Sequence, residues 1–251
     1  MPKQFRIGFI GAGGMTRAHT DAMKGFSDVT FAAFCDVKKA KAQALAEQFG
    51  TPLFIIDEDD DGLMDDLNGD GRKDFLTPRG WWEAPEDRTK SPWTFHEAKL
   101  GPACADMIVY DFDGDGLADV ATSSAHHRGV WWFQQVKGEK GIEFKQHEID
   151  KTHSQTHALI LADMNGDGTP DLVTGKRFWA HTGGDPGIDE PAVVLWYEVQ
   201  RPEKGKVTFT PHLVDSDSGI GTQFEVRDLN GDGKLDIISS NKKGVRVFVQ
   251  E

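Results

Sequence analysis

The sequence has few cysteines and no long hydrophobic run. Only two of the 251 residues are cysteines, Cys35 and Cys104, and they lie far apart in the chain. This excludes a disulfide framework and a thiolate zinc site. The apolar run Ile7–Ile10 ends at Gly11, and no stretch reaches the roughly 18 apolar residues of a membrane-spanning helix. We therefore expect no membrane span and no export signal, and we assign no cellular compartment from the sequence.

Basic residues are outnumbered and unevenly placed. The chain has 28 Lys and Arg against 41 Asp and Glu, a net charge of −13 that argues against a nucleic-acid partner. Residues 1–52 hold seven basic and four acidic residues, which leaves 21 basic and 37 acidic residues for 53–251. All seven tryptophans lie in the second segment. This shift predicts two domains, residues 1–52 and residues 53–251.

The first segment has the pattern of a small βαβα nucleotide-binding fragment. The sequence predicts strands at 5–10 and 29–34 and helices at 16–26 and 38–49. Glycines follow the first strand, and an acidic residue follows the second. Such glycines allow a tight turn and the approach of a pyrophosphate to the helix N-terminus, and the acid accepts from a ribose hydroxyl. The candidate NAD(P)-binding residues are Gly11, Gly13, Gly14, Met15 and Asp36.

These residues resemble a known enzyme family over about a fifth of the chain. The segments Ile7–Met15, Arg17–His19 and Phe34–Asp36 are similar to the start of the glucose-fructose oxidoreductase and inositol dehydrogenase family. The resemblance implies an NAD(P) site, but Thr16 occupies the third glycine position. The family's catalytic Glu-Lys-Pro motif is absent, because Glu139-Lys140 and Glu203-Lys204 are each followed by Gly. We expect an incomplete fragment that binds NAD(P) weakly or only packs on its neighbour.

The second segment repeats an acidic nine-residue loop four times. Each copy has Asp at positions one, five and nine, Asp or Asn at position three, and Gly at position six. The copies are Asp66–Asp74, Asp111–Asp119, Asp163–Asp171 and Asp228–Asp236. Asp57–Asp65 has a related spacing but adjoins the first copy directly, so we interpret it as a degenerate junction. Recurrence at intervals of about fifty residues indicates an array of repeated structural units.

Oxygen side chains at alternate positions of a tight turn can converge on a hard cation, and calcium (Ca2+) suits them better than magnesium does. An EF-hand is excluded because position twelve is Thr or Ser instead of Glu. The alternative is a set of acidic turns held by bonds between side chains and backbone.

Short apolar segments flank every loop and predict about four strands per period. Examples are Val130–Phe133 and Val193–Tyr197. Four strands per period are typical of a propeller blade. The loops and strands resemble the FG-GAP and VCBS repeat family over residues 57–251, which implies calcium loops between blade strands. The ligands that this resemblance implies are Asp66, Asn68, Asp70, Asp74, Asp111, Asp113, Asp115, Asp119, Asp163, Asn165, Asp167, Asp171, Asp228, Asn230, Asp232 and Asp236. The predicted fold is therefore mostly β: a propeller-like array of about four four-stranded blades, preceded by the small βαβα Rossmann-type fragment.

The strand count leaves the closure of this array open. We count about 15 strands, and a closed four-bladed propeller needs about 16. The alternative is a truncated array that buries its open edge on the first segment or on a second chain, so self-association is expected in that case.

Aromatic and histidine residues supply weaker candidates for a site. Trp81 and Trp131 could stack on sugar rings if Trp82 and Trp132 point inward. Five histidines near loop ends could line a channel or bind a metal, or be ordinary surface residues: His126, His127, His153, His157 and His181. No catalytic residue is identified. The expected function is a calcium-binding module for a carbohydrate or protein ligand; the alternative is an NAD(P)-dependent oxidoreductase.

Overall fold

The chain is mostly β, with a small α/β part at its N-terminus. The computed structural model describes residues 4–10, 13–36, 39–51, 53–55, 63–87, 93–102, 106–139, 141–179 and 183–251. None of the helices in the described residues has the length and the apolar composition that a membrane span requires.

The N-terminal part is a three-stranded parallel sheet with two helices. Its elements are β1 (Phe5–Ile10), α1 (Gly14–Met23), β2 (Val29–Cys35), α2 (Lys39–Phe49) and β3 (Leu53–Ile55), and the strand order is β1-β2-β3. Phe34, Leu45 and Ala46 are buried between α2 and β2 and form the centre of its core. β3 pairs with β2, so residues 53–55 join the sheet of the N-terminal part, whereas the sequence prediction placed them in the second segment.

In the part of residues 63–251 that the structure describes, four antiparallel sheets follow. The first contains β4 (Leu63–Asp65), β5 (Asp74–Thr77), β6 (Gly80–Glu83) and β7 (Thr94–Glu97). The second contains β8 (Met107–Tyr110), β9 (Asp119–Ser123), β10 (Arg128–Gly138) and β11 (Gly141–Ser154). The third contains β12 (Ile160–Ala162), β13 (Asp171–Gly175), β14 (Val194–Glu203) and β15 (Lys206–Asp215). The fourth has three strands: β16 (Phe224–Arg227), β17 (Asp236–Asn241) and β18 (Gly244–Phe248).

Each acidic loop joins the first strand of a sheet to its second strand. The second strand is fully buried in the first three sheets, which fits the short apolar runs of their sequences. The β4–β18 strands number 15 in the described residues, as the sequence predicts.

Among the described residues, the core of the four antiparallel sheets consists of three clusters, each between two consecutive sheets. Trp81 and Trp131 pack between the first and second sheets, Trp132 and Tyr197 between the second and third, and Ile237 between the third and fourth. A sheet in the middle of this series is therefore apolar on both faces. The fourth sheet is not covered in this way, because Val245 and Val247 of β18 are 63% and 51% exposed.

Candidate metal centres

The first aspartate of each acidic loop organises the turn. In the loop between β12 and β13, Asp163 Oδ1 accepts the backbone N–H groups of Gly166 (2.8 Å) and Asp167 (3.1 Å), and its Oδ2 accepts that of Gly168 (2.9 Å). Gly168 has a φ of +88°, a conformation that a residue with a Cβ adopts only at a cost. The invariant glycine at position six of the motif is therefore a requirement of the turn.

In the third loop, between β12 and β13, positions three and five lie at the exposed rim. Asn165 Oδ1 accepts the backbone N–H of Asp167 at 3.0 Å, and Asn165 Nδ2 donates to Asp167 Oδ2 at the same distance. The backbone N–H of Thr169 donates to Asp167 Oδ1 at 2.7 Å. These hydrogen bonds, the Thr169 amide first, lower the pKa of Asp167. The carboxylate is thus held in its ionised form, as a cation ligand must be.

The second loop, between β8 and β9, concentrates the most negative charge. It has Asp113 where the other three loops have Asn, and Asp113 is fully buried. Single ligand oxygens of Asp111, Asp113 and Asp115 all lie within 4.8 Å of one another. Gln134 Nε2 donates to Asp113 Oδ2 at 2.6 Å, but no basic side chain forms an ion pair with the three carboxylates among the described residues. Three carboxylates this close repel one another unless a cation lies between them.

The position-nine aspartate lies beneath each loop and is fully buried. Asp171 Oδ2 accepts the backbone N–H of Met164 and its Oδ1 that of Val199, both at 2.9 Å, which joins the loop to β14. Asp74, Asp119 and Asp236 make the same pair of bonds in their sheets. Burial raises the pKa of Asp119 to about 7, although its hydrogen bonds oppose the shift. A cation above this carboxylate would offset the cost of its burial.

A polar side chain from the next sheet also fixes three of the loops. Gln135 Nε2 donates to Leu67 O (3.0 Å), Arg201 Nε to Phe112 O (2.9 Å) and Gln250 Nε2 to Met164 O (3.0 Å). These contacts span up to 89 residues, so the sequence pattern gave no indication of them. Each loop except the fourth is therefore braced by the following sheet within the described residues.

Stacked tryptophan and histidine pairs repeat in the first three sheets, and sequence reasoning missed them. Trp81 stacks on His96, Trp132 on His147 and Trp196 on His212, with ring centroids 4.2, 4.4 and 4.2 Å apart. The sequence pattern that could have predicted these pairs is Trp-x-Glu or Trp-x-Gln in one strand, followed by a histidine in the next strand. In the first sheet His96 Nε2 lies 2.8 Å from Glu83 Oε2, and in the third sheet His212 Nε2 lies 2.9 Å from Glu198 Oε2.

The predicted sugar-stacking role of Trp81 and Trp131 is wrong. Trp81 and Trp131 are 3% and 8% exposed, because both pack in the cluster between the first and second sheets. The pairing also shows that Trp81 corresponds to Trp132 rather than to Trp131.

The predicted histidines are only partly brought together. The rings of His126 and His157 are 6.5 Å apart, and His126 Nδ1 lies 3.7 Å from Asp185 Oδ2. Among the described residues these side chains do not form a three-ligand group with mutually close donor atoms. His127 is exposed, burial lowers the pKa of His153, and His181 lies outside the described residues.

The candidate nucleotide site is divided between described and undescribed residues. Gly13 caps α1, and Gly14 and Met15 form its first residues, with Met15 70% exposed. Asp36, which follows β2, is 3% exposed. Gly11 lies outside the described residues. Thr16, at the third glycine position of the fingerprint, is buried.

Two protein-family models match segments of the chain. Residues 111–174 match the FG-GAP-like repeat, and residues 5–70 match the oxidoreductase family with an NAD-binding Rossmann fold. The first match covers the second and third acidic loops with the strands between them. Both resemblances predicted from the sequence are confirmed. No curated protein matches the chain.

Proposed function

We propose that residues 63–251 form a calcium-binding, propeller-like module whose four sheets are blades, and that the module binds a carbohydrate or protein ligand. The observation that carries the calcium proposal is the convergence of Asp111, Asp113 and Asp115. The same side-chain pattern in all four loops supports a site in each.

The donor set fits calcium. Carboxylate and amide oxygens are the hard ligands that calcium prefers, and it accepts six to eight of them at roughly 2.3–2.6 Å. Positions one, three, five and nine would hold the ion. The position-nine oxygens each accept one backbone N–H, and a carboxylate oxygen has a second lone pair for a cation.

Isothermal titration with calcium tests this function, and the second loop should bind most tightly. Asp113→Asn removes one of its charges, so we expect the Kd of the tightest site to rise about tenfold, since ligand charge tunes calcium affinity. Asn165→Asp is the reciprocal variant and should tighten the third loop. The absence of calcium binding at millimolar concentration would refute the proposal.

The second candidate function is NAD(P) binding by the N-terminal part. The strand order β1-β2-β3, with α1 beginning just after β1, is that of the first mononucleotide half of a Rossmann fold. The matching family supports it. A second half and a catalytic Glu-Lys-Pro motif are not evident in the sequence.

We therefore expect weak NADH binding and no oxidation of sugars or inositol. NADH fluorescence measures the binding, and Gly13→Asp is the matched variant. A Cβ at Gly13 meets nothing within 4 Å, so this change adds a negative charge near the pyrophosphate position without a steric clash. Formation of NADH from inositol or glucose would instead establish the oxidoreductase.

A further inference from the structure

A pocket of about 370 Å³ lies where the third and fourth sheets meet, at the end of β17 remote from its acidic loop. Arg177, Phe178 and Trp179, which follow β13, form one side of it. Thr222, Ser240 and Lys242 contribute to the other. Its volume falls in the range of small-molecule sites, about 300–1,000 Å³. We call it the end pocket.

Trp179 gives the end pocket an exposed aromatic wall. Its side chain is 44% exposed, whereas Trp81, Trp131 and Trp132 are buried. Its φ is +54°, which is rare for a bulky residue and costs conformational energy. The backbone of Gly183 approaches so closely that a Cβ there would lie 3.2 Å from the indole ring. An indole held in this way offers a flat surface for the apolar face of a sugar ring.

The charge of the end pocket is opposite to that of the protein. The chain has a net charge of −13, but no Asp or Glu is among the described residues that line the pocket. Two cations line it. Arg177 shares its charge with Asp185 (3.6 Å), while Lys242 is exposed and has no ion-pair partner among the described residues. The adjacent Lys243 is paired with Asp217 at 2.6 Å. Lys242 therefore remains available for an anionic group.

We propose that the end pocket binds a sugar unit that carries a negative charge. The ring would stack on Trp179, and the Lys242 ammonium would pair with the anionic group. The exposed hydroxyls of Thr222 and Ser240 can donate to or accept from the sugar hydroxyls. This proposal rests on the binding-module function, but it does not depend on the acidic loops, because β17 separates the end pocket from the loop that precedes it.

A carboxylate and a phosphate both satisfy the charge, so the probes separate them. We would titrate the full chain, in saturating calcium, with glucuronate, galacturonate, glucose 6-phosphate and methyl glucoside, and follow binding by calorimetry and tryptophan fluorescence. We expect at least one charged sugar to bind and methyl glucoside to bind at least about tenfold more weakly, since a charge-assisted hydrogen bond is lost. If a uronate binds more tightly than glucose 6-phosphate, the anionic group of the ligand is a carboxylate. The reverse order of affinities identifies it as a phosphate.

Two variants and a matched control locate the binding. Lys242→Met should weaken binding of the charged sugar about tenfold and leave that of methyl glucoside unchanged. Trp179→Gly should weaken both, and glycine accepts the positive φ, so the backbone is retained. Lys137→Met removes an exposed lysine of β10 and should have no effect.

The proposal is overturned if no charged sugar binds, if methyl glucoside binds equally well, or if Lys137→Met and Lys242→Met have equal effects. Calcium binding is measured on the same samples. If calcium binds and no charged sugar does, the sugar proposal fails while the calcium proposal stands.

Discussion

Chelation of calcium should lower the melting temperature by at least about 5 °C. Calcium that binds only the folded chain stabilises it by mass action, roughly 2.7 kcal/mol for one site held at about 100 times its Kd. For a domain of 150–250 residues, each kcal/mol moves the melting temperature by about 2–4 °C. Removing the ion also exposes the mutual repulsion of Asp111, Asp113 and Asp115.

Differential scanning calorimetry in calcium and in excess EGTA measures this effect. Magnesium at the same concentration is the ion control, and it should restore less of the stability because it prefers a small octahedral shell. An unchanged melting temperature in EGTA would contradict the calcium proposal. It would favour the alternative, in which the turns are held only by hydrogen bonds such as those of Asp163.

Replacing a position-nine aspartate should destabilise the protein whether or not calcium is present. Asp171→Ala leaves the buried N–H groups of Met164 and Val199 without their acceptor. Each buried donor left unpaired costs about 1–3 kcal/mol, so the loss should be about 2–6 kcal/mol even in EGTA. Asp167 lies at the exposed rim of the same loop. Asp167→Ala should cost less than about 1 kcal/mol in EGTA and more in calcium, where an ion ligand is lost.

Urea unfolding of both variants, with and without calcium, separates the two roles. Glu139→Ala removes one exposed carboxylate outside the loops and serves as the control for the change in net charge. If Asp167→Ala and Asp171→Ala had equal costs in EGTA, position nine would not be the structural bridge between loop and strand that its two hydrogen bonds indicate.

Local features of this protein followed directly from its sequence. The loop geometry is determined within nine residues, because Asp163 bonds to amides three to five positions later and glycine permits the required φ. The helices and strands of the N-terminal part began and ended within a few residues of the prediction, since strand and helix periodicities are local too.

The orientation of the tryptophans and the bracing of the loops depended on sheets that lie far apart in sequence. Alternation along β10 predicts one inward and one outward tryptophan, but the second sheet is covered on both faces, so Trp131 and Trp132 are both buried. The Arg201 contact to Phe112 likewise joins two different sheets. The end pocket combines the residues after β13 with those at the end of β17.

The sequence by itself therefore determined the repeat, its loops, its strands and the nucleotide-type fragment, because each depends on hydrogen bonds or periodicity within a few residues. The tertiary structure alone decided which faces are buried, which sheet residues 53–55 join and which side chains meet at the end pocket. Those features arise from packing between sheets, and the distance of two residues along the chain carries no information about such contacts.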